Sequence, residues 1–194
     1  MASQGSCVAV LDAATDFLFA SPGGGILRGF RRSDARISDI AAVIADLGAR
    51  FGSSTRIALV GTSRGTLDMT EFAARVGAGQ LNVPVQALVD TATLFRGTAS
   101  NPDNVFDVAL DQIRVPTLII HHVQDGCFVT PVEDVDDFAS ALVNARRVKT
   151  RLIKGGVPPV DPDPCEATTF HGFLGKEAQV IRFMTRFVNQ VLGR

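Results

Sequence analysis

The sequence contains neither tryptophan nor tyrosine, so its large aromatic side chains are thirteen phenylalanines. Nucleic-acid-binding surfaces usually combine stacking aromatics with a stripe of Lys and Arg. Here nineteen basic and twenty acidic residues leave a formal net charge of −1, and the basic residues form no stripe. We therefore expect no nucleic-acid partner, and a small, roughly neutral substrate suits this balance.

Long hydrophobic runs are also lacking. No stretch approaches the length of a transmembrane helix, which predicts no membrane span. The first residues carry no basic region, and Asp12 and Asp16 interrupt the apolar residues there, so we expect no signal peptide in this chain. The compartment stays open: cytoplasmic by default, secreted or periplasmic if the chain forms a disulfide.

Cysteine is scarce, with only Cys7, Cys127 and Cys165. Three cysteines are too few for a disulfide-rich scaffold, and they lack the paired spacing of a zinc site. One disulfide and one free thiol are compatible with this number. We expect no metal and no cofactor.

The length and the 46% hydrophobic content indicate one folded domain, residues 1–194. Short apolar runs alternate with helical patterns, which predicts a parallel sheet flanked by helices. The predicted strands are 7–11, 56–60, 85–89, 117–121 and 149–154. The predicted helices are 34–50, from just after Ser63 to about 76, 131–144 and 176–192, with further helix within 105–113. Residues 21–25 and 158–164 are predicted loops.

The segment 61–65, with the sequence GTSRG, follows the apolar strand and precedes a helical pattern. This strand, turn and helix are the setting of a nucleophile elbow, in which a serine hydroxyl stands clear of the sheet edge. Glycines at both ends permit a tight turn. Ser63 is therefore the predicted nucleophile. The alternative is an ordinary glycine-rich turn between a strand and a helix, without a catalytic role.

A serine hydroxyl needs a base, and the chain has three histidines. His171 lies in a loop before the last helix, and we predict that it is the base. His121 and His122 end a strand and point to opposite faces, so they cannot both bind one metal ion without distortion. We interpret them as structural, one ring packed or bonded to backbone and the other supporting the site.

An acid should orient the histidine and stabilise its protonated form. Asp125 follows the strand ending at the two histidines, and it completes the chain order Ser, Asp, His. Asp161 and Asp163 are the rival candidates, on the same side of the last strand as His171.

Cys127 lies two residues after Asp125, and Cys165 lies six before His171. We hypothesise that the two form a disulfide that holds the acid and the base in register. The alternative is two buried free thiols.

Together these segments resemble the α/β-hydrolase superfamily, and more narrowly its bacterial lipase-like and esterase-like members. The similarity runs from about Val8 to the end, and is carried by residues 60–66, 121–127, 163–167 and 171–175. It implies an abbreviated α/β-hydrolase fold of about five mostly parallel strands. It also implies an acyl-enzyme on Ser63, with Asp125 and His171 as its partners, that hydrolyses carboxylic esters. The short connection 90–116 leaves little or no room for a lid.

The chain departs from the family at the front, where only one strand and one helix precede the elbow. Family members have further strands there, and the loop after the third supplies one N–H of the oxyanion hole. The backbone N–H of Arg64 is one expected donor. A loop with Gly23, Gly24 and Gly25 could supply the other, as could a second copy of the chain pairing across the exposed sheet edge.

The sequence thus predicts a small-molecule ester hydrolase, and the same triad would serve a thioesterase, amidase or acyltransferase. The alternative function is a catalytically weak or inactive hydrolase-fold protein that binds a ligand or a partner. The incomplete oxyanion hole favours this alternative, because one lost donor typically costs about 10² to 10³ in turnover.

Overall fold

A computed structural model describes residues 7–11, 28–52 and 54–193 of the chain. Strands and helices alternate along it. The strands are β1 (Ile57–Thr62), β2 (Val85–Thr91), β3 (Thr117–His122) and β4 (Val148–Ile153). The helices are α1 (Asp34–Phe51), α2 (Gly65–Gly77), α3 (Val135–Ala141) and α4 (Glu177–Leu192).

The four strands form one sheet in the order β1-β2-β3-β4, and every neighbouring pair is parallel. The predicted α/β class with a parallel sheet is confirmed. Because all strands run in one direction, the loops that follow them all leave from the carboxyl ends of the strands, on one side of the sheet.

The predicted strand 7–11 is wrong. These residues pair with no strand in the described part of the chain, and Val8 and Val10 are 52% and 89% exposed. An apolar run becomes a strand only where a neighbour offers backbone partners, and sequence pattern does not report that neighbour. The described sheet therefore has four strands rather than about five.

Two predicted helices are shorter than expected. Within the predicted helix 131–144, the structure has a single 3-10 turn, Val132–Asp134, followed by the short helix α3. Residues 105–113 form two 3-10 turns, Val105–Asp107 and Leu110–Gln112, rather than an α-helix.

Helices cover both faces of the sheet. Ile40 of α1, Phe72 of α2 and Phe138 of α3 belong to the buried cluster on one face, whereas Val180 and Phe187 of α4 belong to the cluster on the other. Coverage of both faces explains why β2 and β3 are buried along most of their length. In the described ranges, no helix is long and apolar enough to cross a membrane.

Candidate active site

Ser63 stands in a sharp turn between β1 and α2. Its N–H donates to the carbonyl of Thr91 at 2.9 Å, which extends the β1–β2 ladder by one residue. Its φ of 51° lies in the left-handed region, which a residue with a Cβ adopts at an energetic cost. The predicted elbow geometry is therefore present at Ser63.

The two glycines of the GTSRG segment are not equivalent. A Cβ on Gly61 would lie 2.6 Å from Cα of Thr66 and 2.7 Å from the carbonyl oxygen of Gly65, so only glycine fits there. A Cβ on Gly65 would meet no atom of the described residues within 4 Å. The absence of a side chain at Gly61 allows α2 to approach the strand. The residue with the strained backbone is Ser63, not either glycine.

Thr66 holds the elbow in place. Its buried hydroxyl donates to the carbonyl of Ser63 at 2.6 Å and accepts the N–H of Leu94 at 3.1 Å. The turn after β1 is thus tied to the segment after β2. The sequence pattern gave no signal for this role, because Leu94 is 28 residues away.

Asp125 and His171 meet in the structure. Nδ1 of His171 lies 3.0 Å from Oδ2 of Asp125, and both side chains are almost fully buried. Asp125 follows β3 and His171 follows β4, so the pair lies at the edge of the sheet from which Ser63 also projects.

This contact determines which ring nitrogen of His171 carries a hydrogen. An ionised carboxylate only accepts hydrogen bonds, so Nδ1 of His171 carries the hydrogen and Nε2 keeps its lone pair. A neutral imidazole with a free Nε2 is the form that a general base requires.

Thr130 is a third member of this cluster that sequence reasoning missed. Its buried hydroxyl donates to Oδ2 of Asp125 at 2.9 Å and lies 3.1 Å from Nδ1 of His171. The N–H of Cys127 donates to Oδ1 of Asp125 at 2.9 Å. Both carboxylate oxygens therefore have partners.

The carboxyl of Asp125 is held in its ionised form. Burial by itself raises the pKa of Asp125, but the neighbouring imidazoles of His121 and His171, with the N–H of Cys127, outweigh it. The result is a pKa well below the usual range for an aspartate.

The two adjacent histidines of β3 lie on either side of the sheet, in keeping with their predicted structural role. Nε2 of His121 donates to the carbonyl of Thr130 at 2.7 Å and lies 3.4 Å from Oδ2 of Asp125. Nε2 of His122 donates to the carbonyl of Gly155 at 2.7 Å, and its ring stacks on Phe170 with centroids 4.6 Å apart.

Cys127 and Cys165 form a disulfide, as hypothesised, and Cys7 is an exposed free cysteine.

The two rival candidates for the acid lie away from His171. Asp161 and Asp163 accept backbone N–H groups two residues further along, and neither contacts His171 in the described ranges.

The structure leaves part of the expected site unassembled. Among the described residues, the hydroxyl of Ser63 makes no hydrogen bond to His171. The N–H of Arg64, at the start of α2, likewise donates to no described backbone group. Gly23, Gly24 and Gly25 lie outside the described residues.

No protein-family model matches the chain, and no curated protein matches its sequence. Solved structures do resemble it. Est1E from Butyrivibrio proteoclasticus aligns with 81% of this chain and 70% of its own, with a TM-score of 0.55 and 16% identity. A protein of unknown function from Agrobacterium tumefaciens, considered an α/β hydrolase, aligns with 79% of this chain, with a TM-score of 0.53 and 16% identity. The chain has the α/β-hydrolase fold.

A thermophilic esterase from Thermogutta terrifontis shares this α/β-hydrolase fold over 90% of the chain, with a TM-score of 0.55 and 13% identity. The chain spans 61% of the Agrobacterium protein and 78% of the Thermogutta esterase. Likeness at this level of identity shows the fold alone, because one fold carries many activities.

Proposed function

We propose that the chain is a serine hydrolase that cleaves carboxylic esters through an acyl-enzyme on Ser63. The observation that carries the proposal is the hydrogen bond from Nδ1 of His171 to Asp125, at the sheet edge where the strained elbow presents Ser63. A scaffold that only binds a partner has no need of a carboxylate, an imidazole and a strained serine in this order.

In the first half of the reaction, Oγ of Ser63 attacks the carbonyl carbon of the ester. The hydroxyl proton passes to Nε2 of His171, and the carboxylate of Asp125 stabilises the imidazolium. The carbonyl oxygen becomes an oxyanion, which receives the N–H of Arg64. The bond to the alcohol oxygen then breaks, and that oxygen takes the proton from Nε2.

In the second half, a water molecule attacks the acyl carbon and gives a proton to Nε2 of His171. The bond to Oγ of Ser63 breaks, Oγ takes that proton back, and the carboxylic acid is released. The esterase among the similar structures makes carboxylic esters the first substrate class to test, ahead of thioesters and amides.

A fluorophosphonate probe tests the nucleophile, since it labels only an activated serine. We expect the wild type to be labelled and Ser63→Ala to remain unlabelled. Ser54→Ala is the matched control, because Ser54 is exposed and lies before β1, at the opposite end of the strand. Its labelling should equal that of the wild type.

Hydrolysis of p-nitrophenyl acetate gives the second measurement. Ser63→Ala should lower kcat/KM by about 10³ or more, the usual cost of removing a triad member. Equal turnover by wild type and Ser63→Ala, together with an unlabelled wild type, would instead support the inactive, ligand-binding alternative. The observation that favours this alternative is that the hydroxyl of Ser63 has no hydrogen-bond partner among the described residues.

A further inference from the structure

The outer side of β4 presents backbone groups to solvent. On the inner side, the carbonyl of Ile153 accepts the N–H of Val123, which follows β3. Because the backbone groups of successive residues alternate between the two sides of a strand, those of Thr150 and Leu152 point outwards. In the described ranges no strand pairs with them, and Leu152 is 50% exposed, so this edge of the sheet is accessible.

Basic side chains occupy alternate positions along this edge. Arg151 lies over the ring of Phe183 of α4, 5.9 Å from its centroid, so its side chain is on the face of β4 that is turned towards α4. Lys149 and Arg147 share that face, because every second residue of a strand does, about 6.6 Å from one to the next. Partial burial and the charges of these two arginines lower the pKa of Lys149, which shows that the three cations are near enough to repel one another.

Helix α4 continues the positive surface beyond the strand. Arg186 follows Phe183 by three residues and Arg182 precedes Arg186 by four, so these side chains are neighbours on the helix surface. Both arginines are exposed. We define the β4 basic face by the following five side chains: Arg147, Lys149, Arg151, Arg182 and Arg186. Only the fold brings the two sets of cations together, since 31 residues separate Arg151 from Arg182.

The β4 basic face lacks counter-charges. No acidic residue occurs in the segments 138–160 and 178–193, which contain the five cations. Among the described residues none of the five joins an ion pair, whereas other arginines, such as Arg75 and Arg96, do. The remaining fourteen basic residues of the chain are outnumbered by its twenty acidic ones. The face is therefore a local positive potential on a chain whose net charge is −1.

Cations on an edge strand can serve only to prevent pairing with other strands. That role requires charges on the edge itself, whereas Arg182 and Arg186 lie on the helix beside it. The same cations repel the β4 edge of a second copy, because like charges would stand opposite one another. A strand with acidic side chains meets attraction at these positions instead.

The backbone of the edge indicates what kind of acidic partner fits. A row of outward N–H and C=O groups is complementary to another polypeptide backbone. Nucleic-acid bases would need an accessible aromatic ring to stack on, but the ring at this face, Phe183, lies under Arg151. On the other face of β4, the half-exposed Leu152 offers an apolar contact to every second side chain of an added strand.

We propose that the outer edge of β4 binds an extended acidic segment of a separate polypeptide, in which Asp or Glu alternates with apolar residues and which adds to the sheet as a strand. Its carboxylates lie opposite Arg147, Lys149 and Arg151, and its apolar side chains contact Leu152. This inference goes beyond the proposed ester hydrolysis. It does not depend on the role of Ser63, and its tests use no ester.

The probe is a fluorescein-labelled peptide, Gly-Ser-Glu-Val-Glu-Val-Glu-Thr amide, titrated into the full chain and followed by fluorescence anisotropy. We expect saturable binding that weakens as salt is added, because the contacts between charges are exposed. Hydrogen exchange should slow at the outward amides of Thr150 and Leu152. The amide of Arg151 points to β3 and should exchange as before, which makes it an internal control.

Charge reversal tests the basic side chains. Arg147→Glu/Lys149→Glu should weaken binding at least about tenfold, because two attractive cross-strand pairs become repulsive. Arg28→Glu/Arg50→Glu is the matched control, since it changes the net charge equally at two exposed arginines outside β4 and α4. Its binding should equal that of the wild type. Equal weakening in both double variants would overturn the proposal.

A second peptide, Gly-Ser-Glu-Pro-Glu-Pro-Glu-Thr amide, keeps the charges but lacks two N–H groups and cannot continue a ladder. We expect it to bind at least about tenfold more weakly, and equal binding of the two peptides would refute strand addition. No binding of the first peptide would leave the cations with edge protection alone and also refute the proposal.

Two further outcomes would assign the edge to another occupant. Fluorescein-labelled oligothymidine that binds more tightly than the acidic peptide, with slower exchange at the same amides, would make it a nucleic-acid surface. A wild-type dimer in sedimentation that Arg147→Glu/Lys149→Glu dissociates would make the occupant a second copy. Exchange in the wild type needs no variant, so it decides the matter even where a substitution prevents folding.

Discussion

At the scale of single residues, the carboxylate of Asp125 is the centre of the candidate site. His171 and Thr130 share its Oδ2, and Cys127 binds its Oδ1. Hydrogen bonds to a charged group contribute more than those between neutral groups, about 1.5–3 kcal/mol each. The hydroxyl of Thr130 should therefore position Asp125 and, through it, the imidazole.

We expect Thr130→Val, which keeps the shape and removes the hydroxyl, to lower kcat/KM by about tenfold to a hundredfold. The reason is that Oδ2 of Asp125 loses a donor and the imidazole loses its second neighbour. Thr130→Ser keeps the hydroxyl and should restore most of the rate. Nitrogen NMR of His171 gives a readout independent of turnover: a tautomer mixture in Thr130→Val, and Nδ1–H alone in the other two proteins.

Asp90 gives the fold a pH dependence. It is fully buried near the end of β2. Among the described residues, Thr70 donates a hydrogen bond to its Oδ2 at 3.1 Å, and its Oδ1 receives none. Burial raises the pKa of Asp90 to about 8, against the opposing effect of that bond. The folded state thus binds this proton more tightly than the unfolded state, and stability falls as pH rises from about 4 to about 8.

We expect Asp90→Asn to be more stable than the wild type at about pH 9, by an amount on the order of 5 kcal/mol. At about pH 4 the two should be nearly equal. Urea unfolding at several pH values measures this difference. Asp39→Asn, at an exposed position of α1, should show no such trend. A difference for Asp90→Asn that is constant with pH would contradict the assignment.

The sequence was sufficient to predict Ser63, Asp125 and His171 as candidates, because each follows a strand in a recognisable order. Thr130 escaped prediction, since a threonine near a proline carries no chemical signal of its own. Its partner His171 is 41 residues away, and only the fold brings the two together.

At the scale of elements, the turn from β1 to α2 depends on one glycine more than on the other. We expect Gly61→Ala to destabilise the fold by about 2 kcal/mol or more, because its Cβ would overlap the backbone of α2. Gly65→Ala should be neutral or stabilising by up to about 1 kcal/mol, since its Cβ meets nothing and alanine favours a helix. Urea midpoints of the two variants measured side by side test this, and equal losses would refute it.

Element prediction succeeded where local signals were complete. The helix α1 begins after Ser33, whose side chain accepts the N–H of Arg36, and ends before Gly52 at a φ of 94°. Segment 7–11 has a comparable apolar signal but no strand beside it in the described ranges. The two segments differ in their tertiary contacts, which a local sequence pattern does not show.

At the scale of the whole molecule, the disulfide joins the loops that follow β3 and β4 across 38 residues. Closing a loop of that length stabilises the folded state by about 4 kcal/mol on the chain-entropy account. We expect Cys127→Ala/Cys165→Ala to lose about that much stability in urea unfolding, and to lose ester turnover if the bridge also positions the acid and the base. Cys7→Ser should change neither quantity. A double variant with full turnover would limit the bridge to a structural role.

The two histidines of β3 have a mechanical consequence. His121 contacts Thr130 and Asp125, while His122, the next residue, stacks on Phe170 beside His171. The loops that carry the acid and the base are therefore both anchored to two consecutive residues of β3. When thermal motion displaces the end of β3, both loops should move with it. The distance between the carboxylate and the imidazole should then stay nearly constant.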